Sequence, residues 1–142
     1  MEKNEKYGSS LRNPASDTEI ITMNHNIQKK LRNIILPKSY IELLKIINGL
    51  DFNGLVIYGV DEVLLDKEVD ENIHGFIETN ELWYENDWQK QYIFLGDSDT
   101  AWYCYDLKES VYVELDKPSG TLIQSFESFD SMVSDAFETI LL

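Results

Sequence analysis

The fold of this chain is decided by residues 92–126, YIFLGDSDTAWYCYDLKESVYVELDKPSGTLIQSF. Four runs rich in aromatic and β-branched residues are separated there by short segments of Gly, Asp, Ser and Pro, which favour turns. Short β runs joined by tight turns indicate neighbouring antiparallel strands. The stretch therefore predicts an antiparallel meander, with strands at residues 92–95, 101–106, 111–115 and 121–126.

A helix is predicted on each side of the meander along the chain. After it, Ser128 is a good N-cap, and a wide apolar face continues to Leu141. Before it, the aromatic spacings from Phe76 to Trp88 fit a helix better than a strand. Residues 55–58 form a short β run bounded by glycines, which predicts a fifth strand.

The first fifty residues predict two more helices. Ser16 and Glu19 have the S-x-x-E spacing of a capping box, and apolar residues then recur at helical spacing until Pro37 stops the helix. The second helix runs from Pro37 to about Asn48, and Asn48-Gly49 is a stop signal.

These elements predict one α+β domain at residues 15–142, preceded by a flexible or loosely docked arm at residues 1–14. The sheet should be mostly antiparallel with about five strands, and helices should cover one face of it. The polar start lacks the apolar segment of a signal peptide, and no apolar run approaches the ~20 residues that span a bilayer. We therefore expect a cytoplasmic protein.

Charge is distributed very unevenly along the chain. Residues 1–50 carry eight Lys or Arg against five Asp or Glu, whereas residues 51–142 carry four against 21, a formal charge of -17. Such a field repels nucleic-acid phosphates and anionic lipid and attracts basic surfaces. We therefore expect a basic protein partner and neither nucleic acid nor membrane.

No arrangement of residues in the sequence predicts catalysis or a cofactor. His25 and His74 are far apart, Cys104 is the lone cysteine, and no zinc spacing, P-loop, G-x-S-x-G or Rossmann motif occurs. The Asp97–Asp99 turn lacks the later ligands of a calcium loop. We therefore predict a protein that is not an enzyme and has no metal and no cofactor. A hydrolase with a carboxylate pair is the weaker alternative, because the sequence cannot place such a pair.

The order of several short motifs resembles a known family. Leu36-Pro37-Lys38-Ser39-Tyr40, Leu43-Leu44 and Asn48-Gly49 resemble the "LP-x-x-Y … L … NG" signature of SMI1/KNR4 domains, the SUKH superfamily. Later segments are also similar to the family pattern, namely residues 53–59, 78–80, 95–99, 103–106 and 128–132. In addition, the pattern "FNG-L-x-x-YG" resembles the YrhA-like branch of the family. The resemblance covers roughly residues 27–141.

The resemblance implies a function without catalysis. Most bacterial members look like immunity proteins, which bind and neutralise a cognate polymorphic or contact-dependent toxin domain. Many such toxins are nucleases or deaminases, which are basic where they hold phosphates, so an anionic inhibitor would suit them. The alternative is a regulatory scaffold with no toxin partner, as in the fungal relatives. The oligomeric state stays open.

Candidate partner-binding residues follow from charge and from exposed aromatic character. The acidic residues chosen are Glu62, Asp66, Glu68, Asp70, Glu71, Asp97 and Asp99. Trp88 is the aromatic candidate, because Trp and Tyr anchor protein interfaces. The plain alternatives are a solvated loop for the first five, and turn formation for Asp97 and Asp99.

Overall fold

The computed structural model describes residues 10–31, 34–65 and 73–141. Within these ranges it contains four α-helices, two short 3₁₀ helices and seven strands. The strands are β1 Ser10–Leu11, β2 Leu50–Phe52, β3 Leu55–Ile57, β4 Tyr92–Asp97, β5 Ala101–Asp106, β6 Val111–Asp116 and β7 Leu122–Phe126. The helices are α1 Asp17–Lys30, α2 Lys38–Leu44, α3 Phe76–Trp83 and α4 Phe129–Leu141, with 3₁₀ helices at Glu62–Leu64 and Asp87–Gln91.

The seven strands form one sheet in the order β1 to β7, and each pairs antiparallel with its neighbours. The predicted α+β class and the meander are therefore confirmed. Two strands, β1 and β2, were not predicted. β2 and β3 form a hairpin around Asn53-Gly54, whose φ angles of 51° and 87° match the left-handed turn that favours Asn-Gly. This dipeptide could have revealed β2, but we interpreted it only as the boundary of one strand.

Helical segments contact both faces of the sheet, so the prediction that helices cover one face is wrong. Trp83 of α3 packs against Trp102, and Phe129 of α4 packs against Tyr112. Tyr112 pairs with Tyr105 across the β5–β6 ladder, and Tyr105 points to the face opposite Trp102. The meander is therefore sandwiched, which explains why β4 and most of β5 are buried.

Helix starts were predicted better than helix ends. Ser16 and Glu19 form the predicted capping box, with hydrogen bonds of 3.1 and 2.8 Å, and Ser128 accepts a hydrogen bond from Ser131 N at 3.1 Å. However, α1 ends at Lys30, α2 ends at Leu44, and α3 ends at Trp83 before a separate 3₁₀ helix. Beyond α1 and α2, Ile34 is buried and Ile47 packs against the core, so their spacing reflects tertiary packing and not a continued helix.

The residues of the "LP-x-x-Y … NG" signature make long-range contacts. Tyr40 is fully buried and donates a hydrogen bond to Tyr58 O at 2.5 Å. Asn48 Oδ1 accepts from Val60 N at 2.8 Å. Gly49 has a φ of +90°, and a Cβ there would lie 2.5 Å from Ile73 Cγ2. The signature therefore joins α2 to β3 and to the segments on either side of residues 66–72.

Most of the predicted arm lies outside the described residues, which begin at residue 10. Ser10 and Leu11 pair with β2, and Arg12 is buried. Residues 10–12 are thus part of the folded body.

Candidate partner-binding surface

Three buried polar side chains fix the position of α3. Asp61 accepts hydrogen bonds from Ile77 N at 2.8 Å and Glu78 N at 2.9 Å, so it caps the N-terminus of the helix. Gly75 precedes the helix, and a Cβ there would lie 2.4 Å from Asp61 Oδ2. Burial raises the pKa of Asp61 above its usual value, although the hydrogen bonds from the backbone partly oppose this.

Asn80 attaches the middle of α3 to β4. Its Oδ1 accepts from Phe94 N and its Nδ2 donates to Phe94 O, both at 2.8 Å, and Nδ2 also donates to Phe76 O at 2.8 Å. The amide thus pairs both backbone groups of Phe94, as a neighbouring strand would do.

Arg12 joins the two sides of the chain that lead into and out of residues 66–72. Its Nη1 donates to Val60 O at 2.6 Å, and its Nη2 donates to Ile73 O at 3.1 Å. Sequence reasoning did not identify these roles of Arg12, Asp61 and Asn80. These roles depend on residues far away in the sequence, so no local pattern reveals them.

The outward side of α3 carries an acidic groove, defined here by Glu62, Val63, Glu78, Glu81 and Leu82. Glu78, Glu81 and Leu82 share one side of the helix because residues three and four apart are neighbours. Glu62 and Val63 come from the adjoining 3₁₀ helix. Val63 is 88% exposed and Leu82 is 63% exposed. The groove thus combines three exposed carboxylates with two exposed aliphatic side chains.

Two cavities flank the carboxylates of Glu78 and Glu81. The larger, of about 570 Å³, is lined by Glu62, Ile73, His74, Gly75, Glu78, Thr79, Glu81 and Leu82. The smaller, of about 250 Å³, lies toward α1 and is lined by Asn26, Lys30, Asp61, Val63, Leu64, Ile77, Glu78 and Glu81. The concave, acidic shape suits a protruding basic group of a partner.

The structure places the predicted acidic residues in different locations. Glu62 lies in the acidic groove. Four of them fall outside the described residues: Asp66, Glu68, Asp70 and Glu71. They belong to the segment between Leu65 and Ile73, and Ile73 lines the larger cavity.

Asp97 and Asp99 lie close together at the same turn, but the exposure of their side chains differs. Asp97 is 15% exposed, accepts a hydrogen bond from the Tyr58 hydroxyl, and lies 3.5 Å from Lys117 Nζ. Trp83 Nε1 donates to the same Tyr58 oxygen at 3.0 Å. Burial, and then the charge of Asp97, raise the pKa of Tyr58 well above its usual range. Asp97 thus has partners inside the fold, whereas Asp99 is exposed.

Trp88 lies in a second depression, which we call the tryptophan pocket. It is 39% exposed and packs against Tyr92 and Trp102, with ring centroids 6.3 and 6.2 Å away. The pocket has a volume of about 240 Å³ and is lined by Trp83, Glu85, Asn86, Trp88, Gln89, Trp102, Pro118 and Ser119. The structure therefore does not bring Trp88 together with Glu62 or Asp99.

Chemical groups of other kinds are sparse in the described part of the chain. No group of three His, Cys, Asp or Glu side chains there has the arrangement of a metal site. Cys104 is buried, and burial raises the pKa of its thiol well above the usual range. Among the described helices, none is both long enough and apolar enough to cross a membrane.

Comparison with protein families identifies the family that this chain resembles. The model of the SMI1/KNR4 family (SUKH-1) matches residues 14–135. This range contains α1, α2, α3, strands β2 to β7 and part of α4, and hence the acidic groove and the tryptophan pocket. A search of the curated proteins found no match. The YrhA-like branch stays a prediction.

Proposed function

This chain belongs to the SMI1/KNR4 family (SUKH-1), which includes immunity proteins, and we propose that it binds and neutralises a basic toxin domain. The toxin is the cognate partner, and the chain acts by occupying its surface without catalysis. The single observation that carries the proposal is the acidic groove, with Glu62, Glu78 and Glu81 around a cavity of about 570 Å³.

The groove has the composition of a protein-binding surface. Its carboxylates attract a basic partner over distances of about 10 Å at physiological salt, which speeds the first encounter. Exposed Val63 and Leu82 then provide apolar area that a partner can cover. The fixed start of α3, with Asp61 as its cap, holds the backbone that carries Glu78 and Glu81 in place before binding, so little backbone ordering cost remains.

The decisive experiment is co-expression with the toxin domain encoded by the neighbouring gene. The wild-type chain should protect cells and form a stoichiometric complex that weakens as salt rises. The triple variant Glu62→Lys, Glu78→Lys and Glu81→Lys should lower the association rate constant about tenfold or more. Its matched control is Glu109→Lys, Glu127→Lys and Glu138→Lys, three exposed positions elsewhere with the same change in net charge.

The control distinguishes an effect of the groove on binding from an effect of the net charge of the chain. Equal slowing by both variants would show that overall charge alone drives binding, and loss of binding only in the control would mean that another face is used. A second reversal at Glu68, Asp70 and Glu71 tests whether residues 66–72 take part in binding.

A regulatory scaffold is the alternative outcome. In that case the neighbouring genes encode no toxin, and capture from the native host recovers housekeeping proteins.

A further inference from the structure

We propose that the tryptophan pocket binds a guanidinium group, and that its natural occupant is an arginine side chain of the protein partner. The identity of this occupant rests on the proposed function. Binding of the guanidinium group itself depends only on the pocket.

Three indole rings form the walls of the pocket. The Trp102 ring is 5.4 Å from the Trp83 ring at 70°, and 6.2 Å from the Trp88 ring at 57°, measured between centroids. Trp102 is only 3% exposed and belongs to β5, which fixes it in the sheet. The rings thus present inclined aromatic faces to one small cavity.

The exposed wall is also held in place. Trp88 lies against Gly120 in the β6–β7 turn, where a Cβ would come within 2.4 Å of the Trp88 ring. Gly120 has a φ of +79°, so both the backbone conformation and the close ring contact require glycine. A preformed wall lowers the ordering cost of binding.

The charges near the pocket favour a cation. The ammonium group of Lys117 lies 5.2 Å from the centroid of the Trp83 ring, so one of these rings already stacks a cation. Asp97 lies 3.5 Å from that ammonium group and balances its charge. Glu85 also lines the pocket and has no ion pair within the described ranges. A carboxylate beside aromatic faces is complementary to a further positive group.

Guanidinium fits this site better than ammonium. It is planar, it is weakly hydrated, and it can stack on indole while it pairs with a carboxylate. The buried indole N–H of Trp102 has no hydrogen-bond partner in the described part of the chain. It is a donor, so its partner must be an acceptor such as water or a peptide carbonyl oxygen, because guanidinium carries donors only.

The pocket and the acidic groove lie next to each other on the chain. Leu82 lines the larger cavity of the groove, while Trp83 and Glu85 line the pocket. Both sites therefore draw residues from the last turn of α3 and the chain just after it. One basic partner can cover the groove and insert an arginine into the pocket.

The test is a titration of the isolated full chain with N-acetyl-arginine methylamide, followed by the indole ¹H–¹⁵N NMR signals. We expect the signals of Trp88 and Trp102 to shift with saturation. The neutral isostere N-acetyl-citrulline methylamide should leave them nearly unchanged, and the lysine derivative should bind more weakly. Equal shifts with citrulline, or arginine-induced shifts confined to the amides of Glu78 and Glu81, would overturn the proposal.

Two variants locate the site. Glu85→Gln keeps the shape of an exposed side chain and should weaken arginine binding several-fold, and Trp88→Ala should abolish it. Glu109→Gln is the matched control and should bind like the wild type. Unchanged binding in Glu85→Gln contradicts the charge assignment even if Trp88→Ala proves unstable.

The pocket and the proposed function can fail separately. Arginine binding by a chain that neutralises no toxin would retain the pocket and remove its assigned occupant. Toxin neutralisation by a chain whose indole signals ignore the arginine derivative would retain the function and refute the pocket.

Discussion

At the residue scale, buried polar side chains satisfy backbone groups that regular structure leaves unpaired. Asn80 pairs both backbone groups of Phe94, Asp61 caps α3, and Arg12 binds the carbonyls of Val60 and Ile73. An unsatisfied buried backbone group costs about 1–3 kcal/mol, so each of these residues has a large effect when it is replaced.

Replacement of Asn80 should destabilise the fold strongly. Asn80→Ala leaves the N–H and the C=O of Phe94 without their partner in the core, and we expect a loss of about 3 kcal/mol or more in urea unfolding. Asn26→Ala is the matched control, because Asn26 makes the same type of hydrogen bond to the carbonyl four residues earlier but is half-buried on α1. That variant should lose less than about 0.5 kcal/mol. Similar losses in both variants would contradict the role assigned to the Asn80–Phe94 pairing.

Asp61 should make stability depend on pH in a definite direction. Burial raises its pKa in the folded state, so the folded chain holds this proton at pH values where the unfolded chain has lost it. The contribution of Asp61 to stability therefore falls as pH rises from its unfolded pKa, about 3.9, through the raised folded value. We expect the free-energy gap between wild type and Asp61→Asn to be larger at pH 3.5 than at pH 6 in urea unfolding. A gap that widens with pH would mean that the carboxylate is stabilised in the fold.

At the element scale, the start of α3 decides where the carboxylates of the groove lie. The helix has Gly75 as its N-cap residue, and that glycine makes no side-chain hydrogen bond, so the cap comes from Asp61 across the chain. The hairpin of β2 and β3 is controlled differently, because Asn53-Gly54 supplies the turn locally. One element thus depends on a tertiary contact and the other on local backbone preference.

Two glycine variants distinguish the tertiary contact that caps α3 from the local backbone preference that forms the β2–β3 turn. Gly75→Ala places a methyl group against Asp61 Oδ2 and should displace the cap, at a cost of about 1–3 kcal/mol. Gly54→Ala makes only an ordinary van der Waals contact, with Asp99 Oδ2 3.6 Å away, but keeps a φ of +87° and should cost about 1 kcal/mol. The NMR signals of Glu78 and Glu81 should shift in the first variant only. Shifts of those signals in Gly54→Ala alone would contradict this account.

At the scale of the whole molecule, negative charge dominates. The chain carries a formal charge of -14, and three ion pairs occur among the described residues. Most carboxylates therefore contribute to one long-range field. Such a field speeds capture of a basic partner, and it also opposes the compact state through self-repulsion.

Salt should therefore stabilise the isolated chain and weaken its complex. An increase in ionic strength from about 0.01 M to about 0.1 M shortens the Debye length from about 30 Å to about 10 Å. We expect the urea midpoint of the free chain to rise over this range. The rise should be smaller in the Glu109→Lys, Glu127→Lys and Glu138→Lys variant, because less repulsion remains to be screened. A midpoint that falls with salt would show that attractive pairs outweigh repulsion.

The sequence by itself determined the features that depend on near neighbours. Local residue types were enough to predict four features: the capping box of Ser16 and Glu19, the turns of the meander, the α+β class and the excess of acidic residues. Helix ends and the strands β1 and β2 were not predicted, because apolar residues beyond a helix end, such as Ile34 and Ile47, also pack against the core, and strands of two or three residues have almost no period.

Only the tertiary structure decided which carboxylates are exposed and which have partners inside the fold. Asp61 and Glu62 are adjacent, yet Asp61 turns inward to cap α3 while Glu62 joins Glu78 and Glu81 at the groove. Asp97 likewise has partners within the fold, while Asp99, two residues later, is exposed. The physical reason is that a carboxylate is buried only where distant backbone N–H groups, hydroxyls or cations pair with it, and those partners are brought to it by the packing of the whole chain.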